Sequence, residues 1–198
     1  MANNQTSNSQ KDANMSYWDE KMRLRWKGLK IPPFIGKGPP SNNTKRAECK
    51  WLPPKARWIK LNFDGPSRGN SGDVGLGYCL HNSKGEELAH MAIPMGKSTN
   101  NEAELNALVE GINLCKILNV KTINIEGDSS IIINALRKGV MPDWKLNASL
   151  TEILTDIRTF DRVIYNHIYI EGNKRDDYLA NMGADGKTVI HVAPGIYP

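Results

Sequence analysis

Four acids in this chain could do chemistry together if the fold gathers them. Asp64 ends the alternating stretch "WIKLNFDG", Glu104 sits in "STNNEAELNAL", Asp128 closes "KTINIEGD" and Asp177 lies in "RDDYLA". Each has an ordinary explanation taken singly. Asp64 can be the turn residue before Gly65, Glu104 can favour the positive end of a helix dipole, Asp128 can cap the next helix, and Asp177 can be an exposed helix acid. Glu104 fits least easily, because it lies four residues before Leu108, at the edge of an apolar face made by Leu105, Leu108, Ile112 and Cys115. Clustered carboxylates repel one another unless a cation lies between them. Without a Cys pair or paired His, the donors are hard oxygens, which select Mg²⁺ or Mn²⁺. Two such ions about 4 Å apart form an arrangement that cuts phosphodiesters, one activating water and the other stabilising the leaving oxygen.

The elements that must position these acids are legible as periodicity. In "WIKLNFDG", Ile59, Leu61 and Phe63 face one way and Lys60, Asn62 and Asp64 the other, which predicts a strand ending in a carboxylate. A Gly-rich turn, "GPSRGNSGDVGLG", leads to a second strand at "GLGYCLHN"; "SKGE" is a hairpin turn and "ELAHMAIPM" a third strand. A helix from about Asn101 to Leu118 follows, then a fourth strand at "KTINIEGD" and a helix at "SSIIINALRKG" stopped by Gly139. A further helix over 145–159, a fifth strand at "RVIYNHIYI" and a closing helix at "NKRDDYLANMG", ending at Gly183, complete the pattern. Three strands joined by short turns are antiparallel, and strands separated by helices join by crossovers. The expectation is an α/β fold with a five-stranded mixed sheet, order β-β-β-α-β-α-α-β-α, and helices on both faces. If strands one and four are neighbours, Asp64 and Asp128 stand side by side, and the first and last helices deliver Glu104 and Asp177.

Composition sets the outer bounds. The 198 residues are 39% apolar and 24% charged, close to a globular average and enough for one domain with an appendage. No run of about 18 apolar residues exists, so no membrane partner is expected, and "MANNQTSNSQKDANMS" lacks the apolar core of a secretory signal. Cys49, Cys79 and Cys115 form no CxxC pair, which fits a reducing, intracellular setting in nucleus or cytoplasm. Charge is uneven. Residues 21–60 hold twelve Lys or Arg against one acid, Glu48, in a chain whose net charge is +5. Four of the five Trp (Trp18, Trp26, Trp51 and Trp58) fall in or beside this stretch, and cations interleaved with aromatic rings suit phosphates and unstacked bases. Residues 1–57 read as a basic, Trp- and Pro-containing tail and linker, largely disordered; residues 58–184 read as the domain, and 185–198 as a C-terminal tail.

In order along the chain, "KLNFDG…GNSG…GLGY", "TNNEAELNAL", "IEGDSS" and "HIYIEGNKRDDYLANMG" resemble ribonuclease H of type 1. The resemblance covers about residues 51–184 and is nearer still to the plant ribonuclease H-like domain associated with LINE-type reverse transcriptases, whose lead-in "WLPPKARWIKLNFDG" shares. The resemblance implies a catalytic and metal-binding set of Asp64, Glu104, Asp128 and Asp177, holding two ions of Mg²⁺ or Mn²⁺. It implies a helper histidine at His167, whose bland reading is a strand residue flanked by Tyr165 and Tyr169. It also implies substrate contacts from Gly69, Asn70, Ser71, Gly72, Asn100 and Asn101, where Gly permits close backbone approach and Asn can meet 2′-hydroxyls. Glu102 competes with Glu104 but lies roughly 200° away around the helix. Asp176 competes with Asp177, at a position where the family usually has a small residue; its extra charge either shifts metal affinity or points to solvent. The basic handle of some members is absent from "KGVMPDWKLNASLTEI", and the N-terminal basic stretch is a candidate substitute. The implied activity is hydrolysis of the RNA strand of an RNA–DNA hybrid; the apolar content suits a monomer. The competing readings are a retrotransposon-derived nucleic-acid-binding module with weak or no catalysis, a DNA nuclease of the same fold, and a structural protein without a site.

Overall fold

The alternation of "IKLNFD" forms the central strand β1 (Ile59–Asp64) in a computed structural model that describes residues 51–65 and 73–196. β1 pairs antiparallel with β2 (Asp73–His81), which pairs antiparallel with β3 (Glu87–Lys97). On its other side β1 runs parallel to β4 (Thr122–Gly127), and β4 runs parallel to β5 (Arg162–His167). The helices are α1 (Asn100–Ile117), α2 (Ser130–Lys138), α3 (Asn147–Ile157) and α4 (Lys174–Ala184). Short 3-10 turns precede α3 and α4. The mixed α/β sheet expected from the sequence is therefore present, with one correction: among the described residues it has six strands, in the order β5-β4-β1-β2-β3-β6. The sixth, β6 (Val189–Val192), pairs antiparallel with the outer edge of β3, inside the stretch expected to be a C-terminal tail. Four residues are too short for alternation to stand out, and only tertiary pairing makes them a strand.

Register sorts the sheet into two unlike faces. Leu61 opposes Leu80 and Ile125, and Phe63 opposes Tyr78, so one face is apolar. α1 packs on it with Leu105, Leu108, Ile112 and Cys115 buried, and its Gly111 sits so near Leu61 that an added Cβ would lie 2.5 Å from Cδ1. Thr99 and Glu102 close the start of α1 as a capping box, Thr99 N–H donating to the Glu102 carboxylate at 2.9 Å. Gly139 ends α2 in the left-handed conformation, φ 75°, as expected.

The opposite face takes α4 at very short range. Gly75 and Gly77 of β2 oppose Ala180 and Gly183, and a Cβ on Gly75 would lie 2.1 Å from the Ala180 carbonyl oxygen. Gly183 is thus not the helix stop expected from the sequence. It lies inside α4, where a Cβ would meet the Ile93 carbonyl oxygen at 2.5 Å, and the helix ends one residue later. Beside α4 the same face is polar and sealed by the segment before β1. The Lys60 ammonium donates to both Glu126 oxygens, at 2.8 and 2.9 Å, and to the Leu52 carbonyl at 2.8 Å. Asn62 donates to Glu126 at 3.2 Å and accepts from the Trp51 indole at 3.0 Å, while the Trp51 ring lies 5.2 Å from the ammonium. Residues 51–57, read from sequence as linker, are therefore packed against the sheet here, whereas residues 1–50 lie outside the described residues.

Because both walls at Gly75 are backbone, Gly75→Val should destabilise the domain by about 3 kcal/mol, the upper end of overpacking costs. A urea denaturation midpoint, measured beside wild type, checks this.

Candidate active site

Parallel pairing of Phe63 with Gly127 brings the next residues, Asp64 and Asp128, to one end of the sheet together. Asp64 is 5% exposed, and its Oδ1 accepts the Gly65 N–H at 2.7 Å. Gly65 then presses on the first turn of α1: a Cβ there would lie 2.1 Å from the Glu104 nitrogen. That contact, which only glycine permits, brings Glu104 to the carboxylates. The Ser129 hydroxyl lies near Glu104 and lowers its carboxyl, while Glu104 Oε2 is buried without a partner. Asp177 enters from the first turn of α4, with its Oδ1 accepting from Asn181 Nδ2 at 2.9 Å.

The four acids lie close enough for their charges to bear on Asp64. Burial first, then the charges of Asp128, Asp177 and Glu104, push the Asp64 carboxyl up to about 9. Burial, then Asp128, against the Ser129 hydroxyl, pushes Glu104 up to about 7. Asp128 is raised by burial and by Asp177, opposed by the nearby His167 and by Asn173. The donor set is four carboxylates with an orphaned buried oxygen on Glu104, which fits a hard divalent cation. Among the described residues, however, no three ligating side chains already stand around a common point, so an ion would have to draw them inward.

The other expected residues are placed as follows. His167, exposed at the end of β5, reaches Asp128 by donating from Nε2 to its carbonyl oxygen at 3.0 Å. A carbonyl only accepts, so the neutral ring carries its proton on Nε2 and leaves Nδ1 with the lone pair. Tyr169 meets that ring edge-on at 5.8 Å. Asn100 and Asn101 are the first two residues of α1, exposed and half-buried. Gly69, Asn70, Ser71 and Gly72 lie outside the described residues.

Asp176 does not point to solvent. It is 2% exposed and faces the sheet beside Cys79, whose thiol donates to Glu87 Oε2 at 3.8 Å. Burial pushes it up to about 8. Glu102 is occupied by its cap, taking Ser98 Oγ at 2.6 Å as well. Two residues at the site escaped the sequence reading. Ser129 does carry an N-cap signal before "IIINALRK", and its side chain accepts from Ile132 N–H, but its reach to Glu104 depends on the fold. Asn173, fully buried, donates from Nδ2 to the Phe63 carbonyl at 3.1 Å and lies 3.5 Å from Asp128 Oδ1, tying α4 to β1 and β4. Nothing local in "GNKRDD" reveals that.

Comparison with known proteins shows the family. The model of the family described as reverse transcriptase-like matches residues 62–183. A candidate ribonuclease H protein of Arabidopsis thaliana is 28% identical over 131 residues, 66% of this chain but only 21% of that protein. Ribonuclease HI of Halobacterium salinarum is 29% identical over 141 residues, 67% of each chain. The crystal structure of ribonuclease H1 from the same archaeon superposes with a TM-score of 0.59 at 28% identity, over 66% of this chain and 99% of that one. LC11 ribonuclease H1, solved in complex with an RNA/DNA hybrid, gives 0.58 at 26% identity, over 64% and 96%.

The crowded carboxylates carry a stability consequence. Asp64 ordinarily titrates at 3.8 and here near 9, and Glu104 moves from 4.5 to about 7, so across those intervals the folded state binds more protons than the unfolded one. Stability of the metal-free protein should therefore fall as pH rises from about 4 towards 9. Asp64→Asn should remove most of that slope and stabilise the protein in EDTA at pH 8 by at least about 1 kcal/mol. Denaturation midpoints in EDTA from pH 5 to pH 8 measure both effects.

Proposed function

The chain belongs to the reverse transcriptase-like family and carries a ribonuclease H-type domain, and from that premise we propose that it is a metal-dependent endonuclease hydrolysing the RNA strand of RNA–DNA hybrids. The observation that supports this most is the delivery of four carboxylates from β1, α1, the end of β4 and α4 to one neighbourhood, where the charges of Asp128, Asp177 and Glu104 all bear on Asp64. Asp64, Glu104, Asp128 and Asp177 would hold two ions of Mg²⁺ or Mn²⁺. When bound, such ions supply an activated water and charge stabilisation at the leaving oxygen. Asp64 and Asp128, fixed by strand pairing, set the position of the scissile phosphate. Glu104, just past the first turn of α1, and Asp177, in the first turn of α4, close the site from above. His167 accepts a proton at Nδ1 and eases departure of the product, its Nε2 anchored on Asp128. Asn100 and Asn101, with Gly69, Asn70, Ser71 and Gly72, read the ribose hydroxyls and so restrict cleavage to RNA. The domain acts as a monomer, and the buried free thiols Cys79 and Cys115 suit the nucleus or cytoplasm.

The alternative of a binding module with little catalysis loses one of its supports, because Asp176 faces away from the carboxylates. Cleavage of an end-labelled RNA strand annealed to DNA decides between the two readings. Wild type should cut with Mg²⁺ or Mn²⁺ and not with EDTA, and Asp128→Asn should lose roughly 10³-fold or more in rate. Hybrid binding without metal-dependent cleavage would establish the binding module instead.

The basic N-terminal stretch acts as a hybrid-binding arm in this reading. Deleting residues 1–50, which keeps Trp51, should weaken hybrid affinity and flatten the slope of log K against log salt. Affinity titrations at three salt concentrations would show it, and an unchanged slope would remove the arm from the proposal.

A further inference from the structure

On the polar face of the sheet, away from the four carboxylates, a groove of ≈ 320 Å³ opens between the segment before β1 and the start of α4. Its walls include Trp51, His81, Glu171, Lys174, Arg175 and Asp176. Two of its polar atoms have no partner: Asp176 Oδ1, on a residue only 2% exposed, and His81 Nδ1. A buried polar atom without a partner is costly unless something meets it. The first turn of α4 adds the backbone N–H groups of Lys174 and Arg175, because its N-cap, Asn173, makes no side-chain capping bond and its carbonyl takes those of Asp176 and Asp177.

The wall chemistry narrows the occupant. A metal cation would meet Lys174 and Arg175, and no three-ligand set exists among the described residues. A bare anion would meet Glu171 and Asp176. The Arg175 guanidinium is largely committed to Glu87, at 2.9 and 3.2 Å, so the exposed Lys174 is the cation left for a ligand. The rings of Trp51 and His81 lie 4.7 Å apart at 56° and offer an aromatic wall. A planar heterocycle whose edge carries both N–H groups and lone pairs answers the two orphan atoms, and an attached phosphate answers Lys174 and the helix start. We propose that this groove binds an unstacked nucleotide, its base against Trp51 and His81 with its edge on Asp176 and His81, and its phosphate towards Lys174 and the first turn of α4. The nucleotide is either free or the unpaired end of a strand, and the site is independent of the nuclease reading.

Calorimetric titration of the full chain in EDTA tests it, using AMP, GMP, CMP and UMP, the matching nucleosides, and a short single strand. At least one mononucleotide should bind with a Kd of roughly 0.1 mM or tighter. Asp176→Ala should abolish that binding. Lys174→Ala, on an exposed residue that leaves folding intact, should weaken nucleotides about tenfold and spare the nucleosides. Tighter binding of the strand than of any mononucleotide identifies a strand end as the occupant, and equal binding identifies the free nucleotide. Asp128→Asn should bind as wild type does, which separates this site from the carboxylate cluster. The proposal is overturned by no binding up to about 5 mM, by loss of binding in Asp128→Asn, or by affinity unchanged in both Asp176→Ala and Lys174→Ala.

Discussion

The parallel pairing of β1 with β4 is the constraint on which the site depends. Those strands are far apart in sequence, and one register, Phe63 beside Gly127, makes both chains leave the sheet through an aspartate at the same end. A shift by one residue would turn Asp64 and Asp128 to opposite faces. The apolar pairs Leu61 with Ile125 and Leu61 with Leu80 forbid that shift, because it would put them on the polar face. Packing on one face thus determines the chemistry at the edge.

The gathered charges are held against their own repulsion. Ser129 and Asn173 relieve part of it, and both are anchored elsewhere, Ser129 by capping α2 and Asn173 by the Phe63 carbonyl. α4 separates two adjacent acids by helical phase alone: about 100° of rotation sends Asp177 to the cluster and Asp176 into the sheet beside Cys79. The helix can lie that close only because Gly75, Gly77 and Gly183 carry no side chain.

Much of this was legible in the residues. Strands β1 to β5 and the four helices announce themselves by alternation, helical spacing and capping residues, since each is long enough to show a period. The four acids could be singled out because each ends or begins an element. β6 could not, being four residues at an edge. Gly183 misled because a glycine late in a helix reads as a stop, whereas here a facing strand demands it. The partners of Glu104 and Asp128, and the burial of Asp176, arise from contacts between elements far apart in the chain, which no local pattern encodes.

The sealing of Lys60 has a further consequence. Lys60 is 4% exposed and its ammonium is surrounded by Glu126, the Leu52 carbonyl and the Trp51 ring, so an acylating reagent cannot reach its nitrogen while residues 51–52 stay seated. Any modification found on that amine, whether by a chemical probe or an acetyltransferase, would mark molecules in which the strap had come off the sheet. The lysine is a built-in reporter of whether the front edge of the domain is shut.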